Sequence, residues 1–203
     1  DRRKKRRYPR SVWAERFSVL YLGTAAAGII LAWLTAAQSF WLPIGLAAPL
    51  ALVQLWFDAQ NRGREFIPEL FGAGALGAVA SAVAMAAGWP PALALALWAI
   101  LLARAFGSIV YVRARLRLER GQPINKTPVW AAHSAGLLAV VALALLGLAP
   151  WLAVAALVLL LGRALAGLSA YRQSIAPKIV GFQEMGYGLL TVALTAVGYA
   201  LWL

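Results

Sequence analysis

Cysteine is absent from the 203 residues. No disulfide framework, thiolate metal site or cysteine nucleophile can be built from such a chain, although redox compartment does not follow from that absence. Histidine occurs once, at His133, which excludes bis-histidine haem ligation within the chain. No His, Cys and carboxylate set has zinc spacing, so no metal site is expected. Charge is scarce as well. Only 13% of the residues are charged, against roughly 25% in ordinary soluble domains, and only seven of them are acidic. There is no Gly-Lys-Ser/Thr phosphate loop and no Ser-His-Asp arrangement. Ser108 and Ser169 read as small packing residues rather than nucleophiles.

What fills the chain instead is apolar. Hydrophobic residues make up 63% of it, more than a wetted globule of this size can accommodate. A membrane-spanning helix needs about 20 mostly apolar residues, within a range of about 17 to 25. That ruler predicts seven helices, at approximately 17–37, 42–57, 68–87, 92–112, 129–148, 151–171 and 180–202. The expected fold is an all-α, polytopic transmembrane bundle forming a single domain over 1–203. The second span is the weakest, with Pro43 at its start and Pro49 placed to kink it.

The loops sort into two sets. Residues 1–16, Asp58–Ile67, Arg113–Pro128 and Arg172–Ile179 hold nearly every charge, whereas the turns at 37–41, 88–91 and 148–151 hold none. Short loops rich in Lys and Arg stay in the cytoplasm, so the first residue is expected inside a bacterial inner membrane and the last outside. Trp41, Trp89 and Trp151 fall at the three uncharged turns, the level that indole rings favour. The net charge of +12 is then accounted for by orientation and by anionic lipid headgroups, without nucleic acid. The chain opens on Asp1 and the run Arg2-Arg3-Lys4-Lys5-Arg6-Arg7, with no short apolar stretch and small-residue exit of the secretory kind. It reads as an internal cytoplasmic loop of a longer protein, whose earlier hairpin would bring seven helices to nine.

A hairpin is expected to recur. Residues 101–108 (LLARAFGS) resemble residues 160–167 (LLGRALAG), and Arg113 follows Arg104 at the same distance as Arg172 follows Arg163. In the helices that follow, Lys126 aligns with Lys178, Trp130 with Phe182, and Gly136 with Gly188. Such hairpins would be parallel repeats.

Ionisable groups within a bilayer are costly and usually face the bundle interior. Arg104 and Arg163 each lie nine residues before the expected cytoplasmic boundary, roughly 13 Å deep at 1.5 Å per residue. Glu69 and Glu184 lie near the same face, as does His133. Two arrangements are open. The arginines could pair with Glu69 and Glu184 as buried ion pairs that hold the bundle in register. Alternatively, Arg104, Arg163, Glu69, His133 and Glu184, with Tyr111, Lys126 and Lys178, could line a cytoplasm-facing cavity for a phosphate, diphosphate or carboxylate headgroup, which the planar guanidinium fork suits. Glu65 and Glu69 are one turn apart and could share a hard cation, but Glu65 also fits as a complement to a helix N-terminus.

The stretch Arg62–Leu70 (RGREFIPEL), the stretch Ala103–Arg117 (ARAFGSIVYVRARLR) and the tail Ala176–Glu184 (APKIVGFQE) resemble the YwiC-like family of bacterial membrane proteins. That family usually begins with a Lys-Glu-His-Gly-Ala-Trp motif on an earlier hairpin, which does not occur here, and it brings no biochemical activity to transfer. A more distant analogy is to intramembrane prenyltransferases, which also use repeated hairpins. Their Asp-rich magnesium motifs have no counterpart, since Tyr111-Val112-Arg113-Ala114-Arg115 stands in that place. The leading expectation is a protein that is not conventionally catalytic. It would hold an anionic amphiphile or membrane lipid, or serve as an accessory subunit beside other membrane proteins. A diverged prenyltransferase-like enzyme would need a deep apolar tunnel joined to the polar cluster; a small-solute transporter would need helices broken at mid-membrane. No cofactor is indicated.

Overall fold

Long runs of Ala, Leu, Val and Gly leave the backbone no water to bond with in a bilayer, and helices satisfy every amide internally. The computed structural model describes residues 9–202, with side chains from Val12 onward. The basic run Arg2–Arg7 lies outside the described residues. Seven helices follow in order: α1 (Pro9–Thr35), α2 (Trp41–Ala59), α3 (Phe66–Ala86), α4 (Pro91–Glu119), α5 (Thr127–Leu145), α6 (Trp151–Gly167) and α7 (Pro177–Trp202). No strand occurs among the described residues. Six helices are long and apolar enough to cross a membrane, and α6, with 17 residues, is a shorter apolar helix. The chain is a multi-pass membrane protein.

Three boundaries differ from expectation by four residues or more. α1 begins at Pro9 rather than near residue 17, and α4 runs to Glu119 rather than 112. Both extend past the apolar window because a helix does not stop where hydrocarbon does; Ala, Leu and Arg propagate it readily into the aqueous layer. α6 stops at Gly167 instead of reaching 171. There Tyr111 presses its hydroxyl against Gly167, leaving no room for a Cβ, and Arg115 donates to the Gly167 carbonyl. A charged donor thus satisfies one of the carbonyls that a helix end leaves unpaired. α2 continues unbroken through Pro49.

α4 is the centre of the bundle, packing against α3, α5, α6 and α7. Its Ile100 joins Val140 of α5, Leu157 and Leu160 of α6 and Tyr199 of α7 in the main core. On its other side Trp98 packs with Ala47 and Ala78 and donates its indole N–H to the Gly74 carbonyl at 2.9 Å. Helix α1 stands apart. None of its spanning window is buried, and Leu22, Leu31 and Leu34 are exposed, a face suited to hydrocarbon rather than to water.

The loops gather at two ends. At the uncharged end the Ala37 amide donates to the Ala86 carbonyl at 2.8 Å, Gln38 donates to the Trp89 carbonyl, and the Tyr199 hydroxyl donates to the Leu148 carbonyl at 3.0 Å. Trp41 and Trp151 are exposed there, whereas Trp89 packs its ring 4.8 Å from that of Tyr199. At the basic end Arg113 donates to the Arg64 carbonyl at 2.8 Å, and Ser174 donates to the Glu119 carboxylate at 2.7 Å.

Both candidate repeat hairpins, α4–α5 and α6–α7, turn through a non-helical stretch, 122–126 and 172–176, before the next helix. Their descending helices nonetheless part company. α4 continues for fifteen residues beyond Arg104, while α6 ends four residues beyond Arg163, so Arg113 is helical and Arg172 lies in a loop.

Candidate functional site

Four helices bring polar side chains together inside the basic half of the bundle. Arg163 projects from α6 and is almost wholly buried, its side chain 6% exposed. One guanidinium nitrogen, Nη1, pairs with Oε1 of Glu184 on α7. The other, Nη2, lies 3.4 Å from Nε2 of His133 on α5. His133 Nδ1 is 2.9 Å from the Val129 carbonyl, an oxygen that can only accept. Nδ1 therefore carries the proton, and Nε2 is left as the acceptor facing Arg163. The guanidinium plane lies between two rings, its carbon 4.1 Å from the centroid of Tyr111 and 5.2 Å from that of Tyr187. Both terminal nitrogens of this cation have partners, while its Nε is buried without one.

Arg104 of α4 is held differently. Its Nη2 donates to the backbone carbonyl of Glu184 at 3.3 Å, its Nε is buried with no hydrogen-bond partner, and the residue is half-buried. Its approach to α7 depends on Gly188, where a Cβ would stand 2.5 Å from Nη2. Glu184 Oε2 is likewise buried and unpartnered. The two arginines thus converge on one residue, one on its carboxylate and the other on its main chain. Arg163 closes an ion pair, and Arg104 keeps spare donor capacity.

Tyr111, His133, Arg163 and Glu184 therefore come together, with Arg104 at their edge. Glu69 does not join them. It is exposed on α3 and accepts from Arg113 Nη2 at 2.6 Å and Nε at 2.9 Å, because Arg113, nine residues beyond Arg104 on α4 and lying over Phe66, is the arginine that stands at the level of the start of α3. Lys126 is half-buried at the start of α5, and Lys178 is exposed with its ammonium 5.7 Å from the Phe182 ring. No contact joins either lysine to the cluster among the described residues. Glu65 occupies the N-cap of α3 without a capping bond from its side chain; its carboxylate takes Arg62 at 2.6 and 2.9 Å. That hydrogen bond holds the Glu65 carboxyl below its ordinary range. Glu65 and Glu69 thus have separate arginine partners, and no group of three His, Asp or Glu residues is gathered among the described residues.

Two features escaped the sequence reading. Tyr187 forms the second ring on Arg163, and its signal was the i, i+3 spacing from Glu184 on one helix face. The second is a node at the membrane surface. Arg115, 3% exposed, donates to the Gly167 carbonyl and to the Gln173 carbonyl at 2.6 Å, and pairs with Glu119 at 2.9 Å. Arg172 approaches the same carboxylate at 3.9 Å. The i, i+4 pair Arg115 and Glu119 was readable only on a helix continued beyond residue 112.

A cavity of about 610 Å³ lies between α3 and α7 across α4, bounded by Ala80, Leu97, Leu101, Thr195 and the rings of Trp89 and Tyr199. A second, of about 470 Å³, occupies the opposite groove between α3 and α5.

Residues 2–84, fewer than half of the chain, match the family model described as YwiC-like protein. The match bears out the resemblance seen in Arg62–Leu70; the stretches 103–117 and 176–184 lie beyond it. No curated protein and no solved structure matches the chain.

Proposed function

From a multi-pass membrane protein that is YwiC-like over residues 2–84, we propose that the basic half of the bundle holds the headgroup of an anionic amphiphile, with Arg104 as its anchor. The observation that carries this reading is the contrast between two neighbouring cations. Each leaves its Nε without a partner, but Arg163 pairs with the Glu184 carboxylate and also meets His133 and two rings, whereas Arg104 has one 3.3 Å bond to a carbonyl and no ion pair among the described residues. A guanidinium without a carboxylate of its own, one turn along α4 from Leu101 in the wall of an apolar groove, suits a phosphate or carboxylate attached to a hydrocarbon chain. The charge distribution supports a bacterial inner-membrane location with the basic end in the cytoplasm.

Neither competing reading gains a comparable feature. All seven helices run without a break through their middles among the described residues, whereas a transporter of the broken-helix kind would interrupt them. A prenyltransferase-like enzyme would set carboxylates beside the anion, and the one nearby carboxylate already pairs with Arg163.

Native mass spectrometry of the full-length protein in mild detergent, followed by lipid extraction, tests the proposal. A stoichiometric anionic lipid is expected, with retention falling about tenfold or more in Arg104→Gln, as loss of a charged hydrogen bond worth about 1.5–3 kcal/mol implies. Gly188→Ala should also weaken retention, because the new methyl displaces the guanidinium. Its thermal unfolding midpoint should hold or rise, since alanine favours the helix by up to about 1 kcal/mol. Bare protein, or protein carrying only other subunits, would discard the headgroup reading and favour an accessory role in a complex.

A further inference from the structure

One polar atom in the α3–α7 groove lacks a partner. Thr195 is 3% exposed, and its hydroxyl bonds to nothing. One turn earlier Thr191 donates to the Tyr187 carbonyl at 2.8 Å, the usual arrangement for a helical threonine. Thr195 instead lines the 610 Å³ cavity.

Arg104 is not among the residues that line this groove, but it stands one turn beyond Leu101. Leu97, Leu101 and Arg104 succeed one another at i, i+4 and i+7 along α4, one stripe of the helix. On α7, Gly188 touches the Arg104 guanidinium, and Thr195 follows seven residues later, roughly 10 Å along the axis. Lengthwise, then, a cation stands one turn beyond the groove, a lone hydroxyl lies about two turns from it within the groove, and the Trp89 and Tyr199 rings close the far end.

A hydroxyl left unpaired against hydrocarbon is unfavourable. A polyprenyl phosphate seated on Arg104 would lay an acceptor-free chain over Thr195. A glycerophospholipid in the same seat carries ester carbonyls between its phosphate and its acyl chains, where an acceptor is wanted. Resting on the reading of Arg104 as a headgroup anchor, we infer that the ligand is an ester-linked anionic glycerophospholipid. It enters sideways from the bilayer between α3 and α7, and one ester carbonyl accepts a hydrogen bond from the Thr195 hydroxyl.

The full chain in detergent micelles is offered dioleoyl phosphatidylglycerol, its diether analogue or a long-chain polyprenyl phosphate, singly and in competition, with bound lipid read by native mass spectrometry. The wild type should retain the diester over the diether by about three- to tenfold, the range expected of one neutral hydrogen bond. Thr195→Val, which removes the hydroxyl and keeps the shape, should abolish that preference, and Thr195→Ser should restore it. Equal retention of diester and diether by the wild type, or preference for the polyprenyl phosphate, overturns the ester assignment; if Arg104→Gln still weakens all three lipids, the headgroup reading stands. Retention of all three that ignores Arg104→Gln removes the headgroup reading and the ester assignment with it. The wild-type comparison requires no variant to fold.

Discussion

Replacing Glu184 with alanine should cost about 3–5 kcal/mol of stability, the usual penalty for stranding one member of a buried ion pair. The guanidinium of Arg163 is 6% exposed, its aromatic neighbours cannot neutralise it, and His133 offers a lone pair rather than a charge. Without Glu184 the cation is left in the bundle, and α6 and α7 lose the ionic link that joins them. Thermal unfolding in detergent should show a midpoint lower by roughly 10 °C or more. The double replacement Arg163→Met with Glu184→Leu should recover most of that loss, because removing both charges together removes the desolvation penalty as well. A Glu184→Ala protein that melts like the wild type would mean that Arg163 reaches water or lipid headgroups despite its burial.

The second large effect is expected at Arg115→Ala. This guanidinium serves three partners at once: the last carbonyl of α6, the Gln173 carbonyl in the following loop and the Glu119 carboxylate. The Glu119 side chain is 4% exposed and would keep Ser174, the Ile175 backbone and the more distant Arg172. A penalty of about 3–5 kcal/mol is again expected, felt first in the segment 168–176 that Arg115 ties down. Trypsin in detergent should cut at Arg172 much faster in Arg115→Ala than in the wild type. Arg115→Lys should fall between them, since a compact ammonium lacks the fork that spans two carbonyls. Cleavage at the wild-type rate in Arg115→Ala would show that the loop is held by something else.

The number, order and approximate extent of the helices were legible because each needed a run of apolar residues separated by charge or by Pro and Gly. The two ends of the bundle were legible for a related reason, the lopsided distribution of Lys and Arg. What failed were the ends of helices, where hydropathy stops reporting. α4 passes beyond Val112 on helix propensity, and α6 stops at Gly167 because of Tyr111 and Arg115, residues some fifty positions away. The cluster was half readable. Depth and sign marked Arg163 and Glu184 as partners, and the structure pairs them. The same logic offered Glu69 to Arg104, yet α3 presents Glu69 at the surface to Arg113. Which faces of neighbouring helices meet is set by packing of Ala, Leu and Gly, and in so uniform a sequence those contacts leave little trace.

The unequal lengths of α4 and α6 bear on the bilayer itself. At 1.5 Å per residue, the 29 residues of α4 span about 43 Å and the 17 residues of α6 about 25 Å, on either side of the 30 Å or so of a typical hydrocarbon layer. The excess of α4 is its charged stretch Arg113–Glu119, which stands in the aqueous layer, whereas lipid beside α6 meets a helix that falls short. The membrane must thin on the α6 flank, drawing the water boundary down toward Arg163, or polar side chains flanking α6 must snorkel out to the boundary. Either response costs only a fraction of a kcal/mol per Å, yet it makes the protein's fit depend on acyl-chain length, and thicker membranes would hold it less well than thin ones.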